Sequence, residues 1–154
     1  EANIKSNLVS SSYLAKLIAE ANLKVKKKCS IVFLSSIYGL VGQDISIYKN
    51  TTIKENMTYS IIKGGLINLT KQMASYYSKY NIRINNVCPG GVLDKAKIKS
   101  RKYKNFIKNY SSRCPIKRLA DPKEIAQPII FLSSEDSSYI TGTSLIVDGG
   151  WTAI

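Results

Sequence analysis

The sequence predicts an α/β domain in which a doubly wound parallel sheet is flanked by helices. Three observations carry that expectation. Short apolar runs alternate with segments of helical period; the run at 30–36 is nearly all apolar, as a strand buried on both faces must be; and one helical segment opens with a complete capping signature. With 154 residues there is chain for one domain and one core. A hydrophobic content of 44% against 21% charged excludes a disordered chain.

Taken in order, "SNLVSSSYLAKLIAEANLK" at 6–24 places Leu8, Tyr13, Leu14, Leu17, Ile18 and Ala21 at helical spacing and ends in a Lys-rich turn. "SIVFLSS" at 30–36 is the first strand. A polar loop from about 39 to 56 leads into a long helix over 57–80, and "IRINNVC" at 82–88 is the second strand, broken by "CPGGV". The basic stretch that follows is expected to form one or two short helices. "DPKEIAQPIIFLSS" then announces a helix: Asp121 can cap it, Pro122 fits its first turn, and Glu124 completes a capping box. "SLIVDGG" at 144–150 is the last strand.

Composition removes several kinds of chemistry. No histidine is present, so Ser-His-Asp catalysis, a His-activated cysteine and most zinc sites are excluded, and no metal is expected. Cys29, Cys88 and Cys114 form an odd, widely spaced set that suits reduced thiols in a cytoplasmic protein, with Cys88 a small core residue. The apolar runs fall far short of a membrane span. A net charge of +13 raises the question of nucleic acid, but the lysines are scattered through the chain. Only 95–108 concentrates them, seven basic residues in one segment, and no nucleic-acid motif accompanies them; a solvated basic face is the preferred reading.

One pair stands out. In "YSIIK" at 59–63 a helix would stack the Tyr59 phenol one turn from the Lys63 ammonium. Such a pair is common by chance, and its context gives it weight. In doubly wound sheets ligands bind beyond the carboxyl ends of the strands. Ser36 follows the first strand, the glycine turn follows the second, and Tyr59 with Lys63 opens the helix between them, so all three are expected on one rim. A positive charge favours a phenolate, which makes Tyr59 suited to proton transfer. Ser36 offers a hydroxyl to hold a carbonyl or alcohol oxygen, and the glycines would let backbone approach a flat ligand. Together these groups suit the interconversion of an alcohol and a ketone, the hydride travelling on a cofactor.

These residues, with "SNL" at 6–8, "IVFLSSIYG" at 31–39, "YSIIKGGLINLTKQMA" at 59–74, "NIRINNVCPGGV" at 81–92, "RLADPKEIAQPIIFLSS" at 118–134 and "SSYITGTSLIVDGG" at 137–150, resemble the carboxyl-terminal part of the short-chain dehydrogenase/reductase family. The resemblance implies part of a Rossmann-type sheet that binds NAD or NADP. It implies Tyr59 as catalytic acid-base, Lys63 as the residue that tunes it and holds the nicotinamide ribose, Ser36 as substrate-oxygen anchor, and Asn7 as anchor of a proton-relay water. Pro89, Gly90, Gly91 and Val92 resemble the turn that cradles the nicotinamide amide, and 94–118 the substrate lid. It further implies a homodimer or homotetramer, built on the 57–80 helix and the terminal "SLIVDGGW" segment, with no nucleic-acid or membrane partner.

Two departures qualify the match. The family's glycine-rich T-G-x-x-x-G-x-G turn is not found in the 154 residues, so the chain is expected to be a single partial domain, the catalytic half without the amino-terminal dinucleotide-binding half, and inactive by itself. An inactive interaction module on the same fold is the alternative. Ser36 and Tyr59 also stand 23 positions apart, farther than is usual, and Asp94 stands near the place of a threonine often found after the turn. The longer loop resembles a subset tied to bacterial surface-sugar and flagellin modification, which implies a phosphorylated or nucleotide-activated sugar as substrate, its phosphates met by the basic segment.

Overall fold

A computed structural model describes residues 1–54, 56–93 and 101–154, the side chains of 101 and 102 excepted. Its centre is a parallel sheet of β1 (Cys29–Leu34), β2 (Ile82–Pro89) and β3 (Ser144–Val147), in that order. Cys29 is in register with Ile82 and Leu34 with Val87; Asn86 is in register with Ser144 and Pro89 with Val147. Successive strand residues face opposite sides. Phe33, Ile82 and Ile84 therefore meet Ala15, Ala19, Leu66 and Met73 on one side, while Val32, Val87 and Leu145 meet Ile125 and Leu132 on the other. Helices cover both faces, as the sequence predicts. The outer edge of β1 pairs with no strand among the described residues.

The first helical segment is not uniform. α1 (Ala2–Ile4) passes through a π-helical stretch, Lys5–Val9, into α2 (Ser10–Lys24). The Ser10 N–H bonds five residues back to Lys5 O, and the Ser10 hydroxyl donates to the same carbonyl at 2.9 Å. The Ser12 hydroxyl donates to Leu8 O at 2.6 Å. Serine side chains that compete for helix carbonyls loosen the ladder, which gives the extra residue a place to sit. Such π-turns recur at functional sites, and Asn7 lies within this one.

α3 (Met57–Tyr77) is capped by Asn56, whose side chain accepts from Thr58 N–H. It stops three residues before the expected end and tightens into a 3-10 turn, Ser78–Tyr80, because Asn81 takes the left-handed conformation (φ 60) that asparagine tolerates. The basic stretch is one helix where described, α4 (Arg101–Arg113). Residues 94–100, including Asp94 and the start of the proposed lid, lie outside the described residues. α5 (Pro122–Ser133) carries the capping box that the sequence announces.

β2 is less apolar than a central strand would suggest, yet its asparagines are satisfied. Asn85 Nδ2 donates to Ile140 O at 2.9 Å and its Oδ1 accepts from Thr143 N–H at 3.1 Å. Asn86 Nδ2 donates to Ser144 Oγ at 2.9 Å. Both buried amides hold the approach to β3, so polar side chains fix the register of the last strand.

Candidate active site

Beyond the carboxyl end of β1 the chain turns at Ser36, whose Oγ accepts the Tyr38 N–H at 3.2 Å as the cap of a 3-10 turn over Ile37–Gly39. The serine's own O–H is left to donate to something else. Gly39 brings this turn against α3: a Cβ there would lie 2.7 Å from the Lys63 carbonyl carbon and 2.8 Å from Gly64 N. Ser35 Oγ donates to Lys63 O at 2.8 Å and joins the same two segments.

Tyr59 and Lys63 meet as their spacing requires. Lys63 Nζ lies 5.5 Å from the Tyr59 ring centroid and donates to Leu34 O, the last carbonyl of β1, at 2.8 Å. Burial pulls this ammonium below the usual lysine range, with the neighbouring Cys88 acting in the opposite direction. Cys88 is fully buried, its thiol donates to Asn86 Oδ1 at 3.0 Å, and burial pushes it up, so it is the core residue that the sequence suggests.

Two cavities meet at Tyr59. The larger, about 270 Å³, brings Ser36, Tyr59, Gly90 and Gly91 together. The smaller, about 180 Å³, is lined by Asn3, Asn7, Asn56, Tyr59, Ile62 and Lys63. The expected rim therefore exists, divided in two: Ser36 and the glycine turn on one side, Asn7 and Lys63 on the other. Asn7 is exposed and its Nδ2 donates to Asn3 O at 3.2 Å and Ser6 Oγ at 3.1 Å. Pro89 is buried in the β2–β3 pairing and Val92 bridges to Ala120, and neither lines the larger cavity.

Gly90 and Gly91 line the larger cavity and also pack closely against another part of the chain. The flat group they approach is a side chain of the same protein. A Cβ at Gly90 would lie 2.7 Å from Tyr110 Oη, and one at Gly91 would lie 2.7 Å from Tyr110 Cζ. The Gly91 N–H donates to Tyr110 Oη, the Gly90 N–H to Val147 O at 3.0 Å, and Gly91 O accepts from Ala120 N–H at 2.9 Å. Burial pushes the Tyr110 phenol up to about 12 against the pull of the Gly91 N–H, so it stays neutral. Its ring stacks on Trp151 at 4.3 Å.

Sequence reasoning missed the walls of the larger cavity: Tyr38, Gln43, Tyr48, Lys54, Asn56, Phe106 and Tyr110. The signal for two of them was present. Tyr103, Phe106 and Tyr110 recur at helical spacing along the basic stretch and just past its end, an aromatic stripe that the charges hide. α4 sets Tyr110 against the glycine turn and Phe106 beside Tyr48 of the 39–56 loop, with the latter ring centroids 5.8 Å apart. There Asn109 Nδ2 donates to Ile47 O at 3.2 Å and Lys49 O at 2.9 Å, and Asn105 Nδ2 donates to Asn50 O at 2.8 Å. Arg113 pairs with Asp44 at 3.0 Å. Among the described residues no cluster of acidic, cysteine or histidine side chains could hold a metal ion, and no helix is long and apolar enough to cross a membrane.

Residues 1–152 match a family model described as enoyl-(acyl carrier protein) reductase. The chain is 35% identical over 139 residues to post-translational flagellin modification protein A of Campylobacter coli, covering 88% of this chain and 52% of that protein. It is 34% identical over 158 residues to an NADH-dependent L-xylulose reductase of Ambrosiozyma monospora, covering 99% and 54%. Among solved structures, a short-chain dehydrogenase of Leptospira borgpetersenii with bound NAD+ superimposes with a TM-score of 0.86 at 32% identity, covering 97% of this chain and 54% of that one. A gluconate 5-dehydrogenase of Burkholderia cenocepacia, in complex with NADP and tartrate, superimposes with a TM-score of 0.83 at 25% identity, covering 99% and 56%. The chain spans about half the length of the curated relatives that it matches.

Proposed function

Because the chain belongs to the short-chain dehydrogenase/reductase family, we propose that the full-length protein is a cytoplasmic NAD- or NADP-dependent oxidoreductase that interconverts a secondary alcohol and a ketone. The observation that carries the reading is the position of Tyr59 at the junction of two cavities, with Ser36 across one and Lys63 with Asn7 across the other.

In the oxidative direction the substrate's hydroxyl lies in the larger cavity, held by the Ser36 O–H, and Tyr59 Oη takes its proton. In reduction Tyr59 returns a proton to the ketone oxygen as the carbon is reduced. Lys63, fixed by Leu34 O, stabilises the Tyr59 phenolate that accepts the proton in oxidation and that is left when the proton is given up in reduction, and its remaining N–H groups serve the smaller cavity. The donors there, Lys63 with the amides of Asn3, Asn7 and Asn56, suit a hydroxylated ribose, and Asn7 anchors the water that passes protons to bulk. When bound, the nicotinamide supplies or accepts the hydride. The turn from Pro89 to Val92 would hold its amide, with Gly90 and Gly91 shaped by Tyr110 at the cavity wall.

The substrate is a small-molecule alcohol or ketone, and a sugar or nucleotide-activated sugar is the form we favour. Lys54 at the cavity and the basic residues of the 94–118 segment compensate phosphate charge. The enzyme assembles as a homodimer or homotetramer.

Substituting Tyr59→Phe in the full-length protein tests the assignment. Turnover is expected to fall by roughly a thousandfold, the scale of a lost acid-base group, while NAD and NADP bind within a few-fold of wild type by calorimetry. Near-normal turnover would sink it.

A further inference from the structure

Tyr38 carries chemistry that the proposed reaction does not use. Its hydroxyl is buried without a hydrogen-bond partner, and it is the one buried side-chain nitrogen or oxygen among the described residues of which this is true. Native structures rarely leave such a group unpaired. It lies two residues beyond Ser36 on the same 3-10 turn, and it lines the same cavity as Ser36 and Tyr59. The Tyr38 N–H already holds Ser36 Oγ, so the two side chains are set relative to each other by one short piece of backbone.

Its surroundings keep the phenol neutral. Burial first, then Tyr48, Tyr110, Asp44 and Tyr59, push it far above the usual tyrosine range. A neutral phenol both donates and accepts, which suits a hydroxyl partner. The walls add a shape preference: Tyr48, Phe106 and Tyr110 present aromatic carbon to a cavity of about 270 Å³. That space is several times a water's share of about 30 Å³.

We propose that the Tyr38 hydroxyl bonds a second substrate oxygen, a hydroxyl on the carbon beside the reacting one, so that the site selects vicinal diols and cyclic polyols over simple secondary alcohols. Ser36 and Tyr59 take the reacting oxygen, Tyr38 takes its neighbour, and the aromatic walls pack against the C–H faces of a ring. The inference rests on the oxidoreductase reading and adds to it the feature of the substrate that the site recognises.

The test uses the full-length protein with a matched pair of probes, trans-1,2-cyclohexanediol and cyclohexanol, with NAD and with NADP. Tyr38→Phe is expected to lower the diol-to-cyclohexanol ratio of kcat/KM about ten-fold, as the loss of one hydrogen bond to substrate would. The thermal midpoint of the unliganded variant should equal or exceed that of wild type, because an unpaired hydroxyl has been removed, and the diol should raise the midpoint of wild type more than that of the variant. An unchanged ratio, or a lower midpoint without loss of diol selectivity, would show a hydroxyl that serves the fold through bound water and would overturn the inference. If wild type oxidises neither probe, it is the reading of the reaction that fails for these alcohols, and the diol-induced shift still decides on Tyr38. A shift lost in Tyr38→Phe upholds the role; a shift equal in both proteins, or seen in neither, overturns it.

Discussion

Gly39 lets the turn that bears Ser36 touch the helix that bears Tyr59 and Lys63, and no other residue type fits there. With a Cβ placed 2.7 Å from the Lys63 carbonyl carbon, backbone rather than a pliable side chain would have to give way. Gly39→Ala is therefore expected to destabilise the protein by about 1–3 kcal/mol, the range for overpacking, and to lower kcat while cofactor affinity changes little, since Ser36 moves and Lys63 stays tied to Leu34 O. Thermal melts and steady-state kinetics check this; an unaltered kcat would show that the turn does not set the position of Ser36. The Tyr59–Lys63 pair was legible because its geometry is local, four residues on one helix face. The role of Gly39 was hidden because the atoms it makes room for lie 24 residues farther along the chain.

α5 shows how far an element can be read from its own letters. Asp121 Oδ1 accepts the Lys123 N–H at 2.9 Å, and Glu124 Oε2 accepts the Asp121 N–H at 2.8 Å. Arg118 adds what the capping pattern alone does not announce, a forked pair to Glu124 at 2.6 and 2.7 Å. Chiefly through that guanidinium, and then through the Asp121 N–H, the Glu124 carboxyl is held down at about 2 from an ordinary 4.5. Between those values the unfolded chain binds the proton and the folded one does not. The contribution is thus complete above pH 4.5 and is lost as pH falls toward 2. Urea midpoints of wild type and Glu124→Gln across that window should diverge least at the acid end. Because the pair is exposed the divergence will be small, and parallel pH profiles would show that the fork adds nothing. α4 was less legible as an element: its charges suggested a solvated face, while Asn105, Asn109, Arg113 and the Phe106 ring tie it to the 39–56 loop.

At the scale of the whole molecule, the sequence predicted the three strands, their parallel pairing and the two helical layers, because each rests on period and capping. It could not show which distant residues close the site, because Tyr38, Tyr48, Phe106 and Tyr110 converge from three segments. The 57–80 helix expected at a subunit contact borders an apolar groove of about 500 Å³, which α3 forms with α2 and the π-helical stretch before it and which is lined by Leu8, Val9, Tyr13, Leu69, Met73 and Tyr76, with Tyr13 63% exposed. A second copy laying the same helices there would cover it. Full-length wild type is expected at dimer mass or above by light scattering and Tyr13→Glu at a lower mass, whereas a monomeric wild type would refute the assembly. Trp151, which closes the "SLIVDGGW" segment expected at a subunit contact, is buried inside the protomer and would take no part in such a contact. That burial has a spectroscopic consequence. Trp151 is the chain's single tryptophan, with the Tyr110 ring on it at 4.3 Å and the Arg113 guanidinium 5.1 Å from its centroid. Indole emission from these 154 residues thus reports one contact, between the end of the sheet and the helix that walls the cavity, and a red shift would signal that helix lifting without any added label.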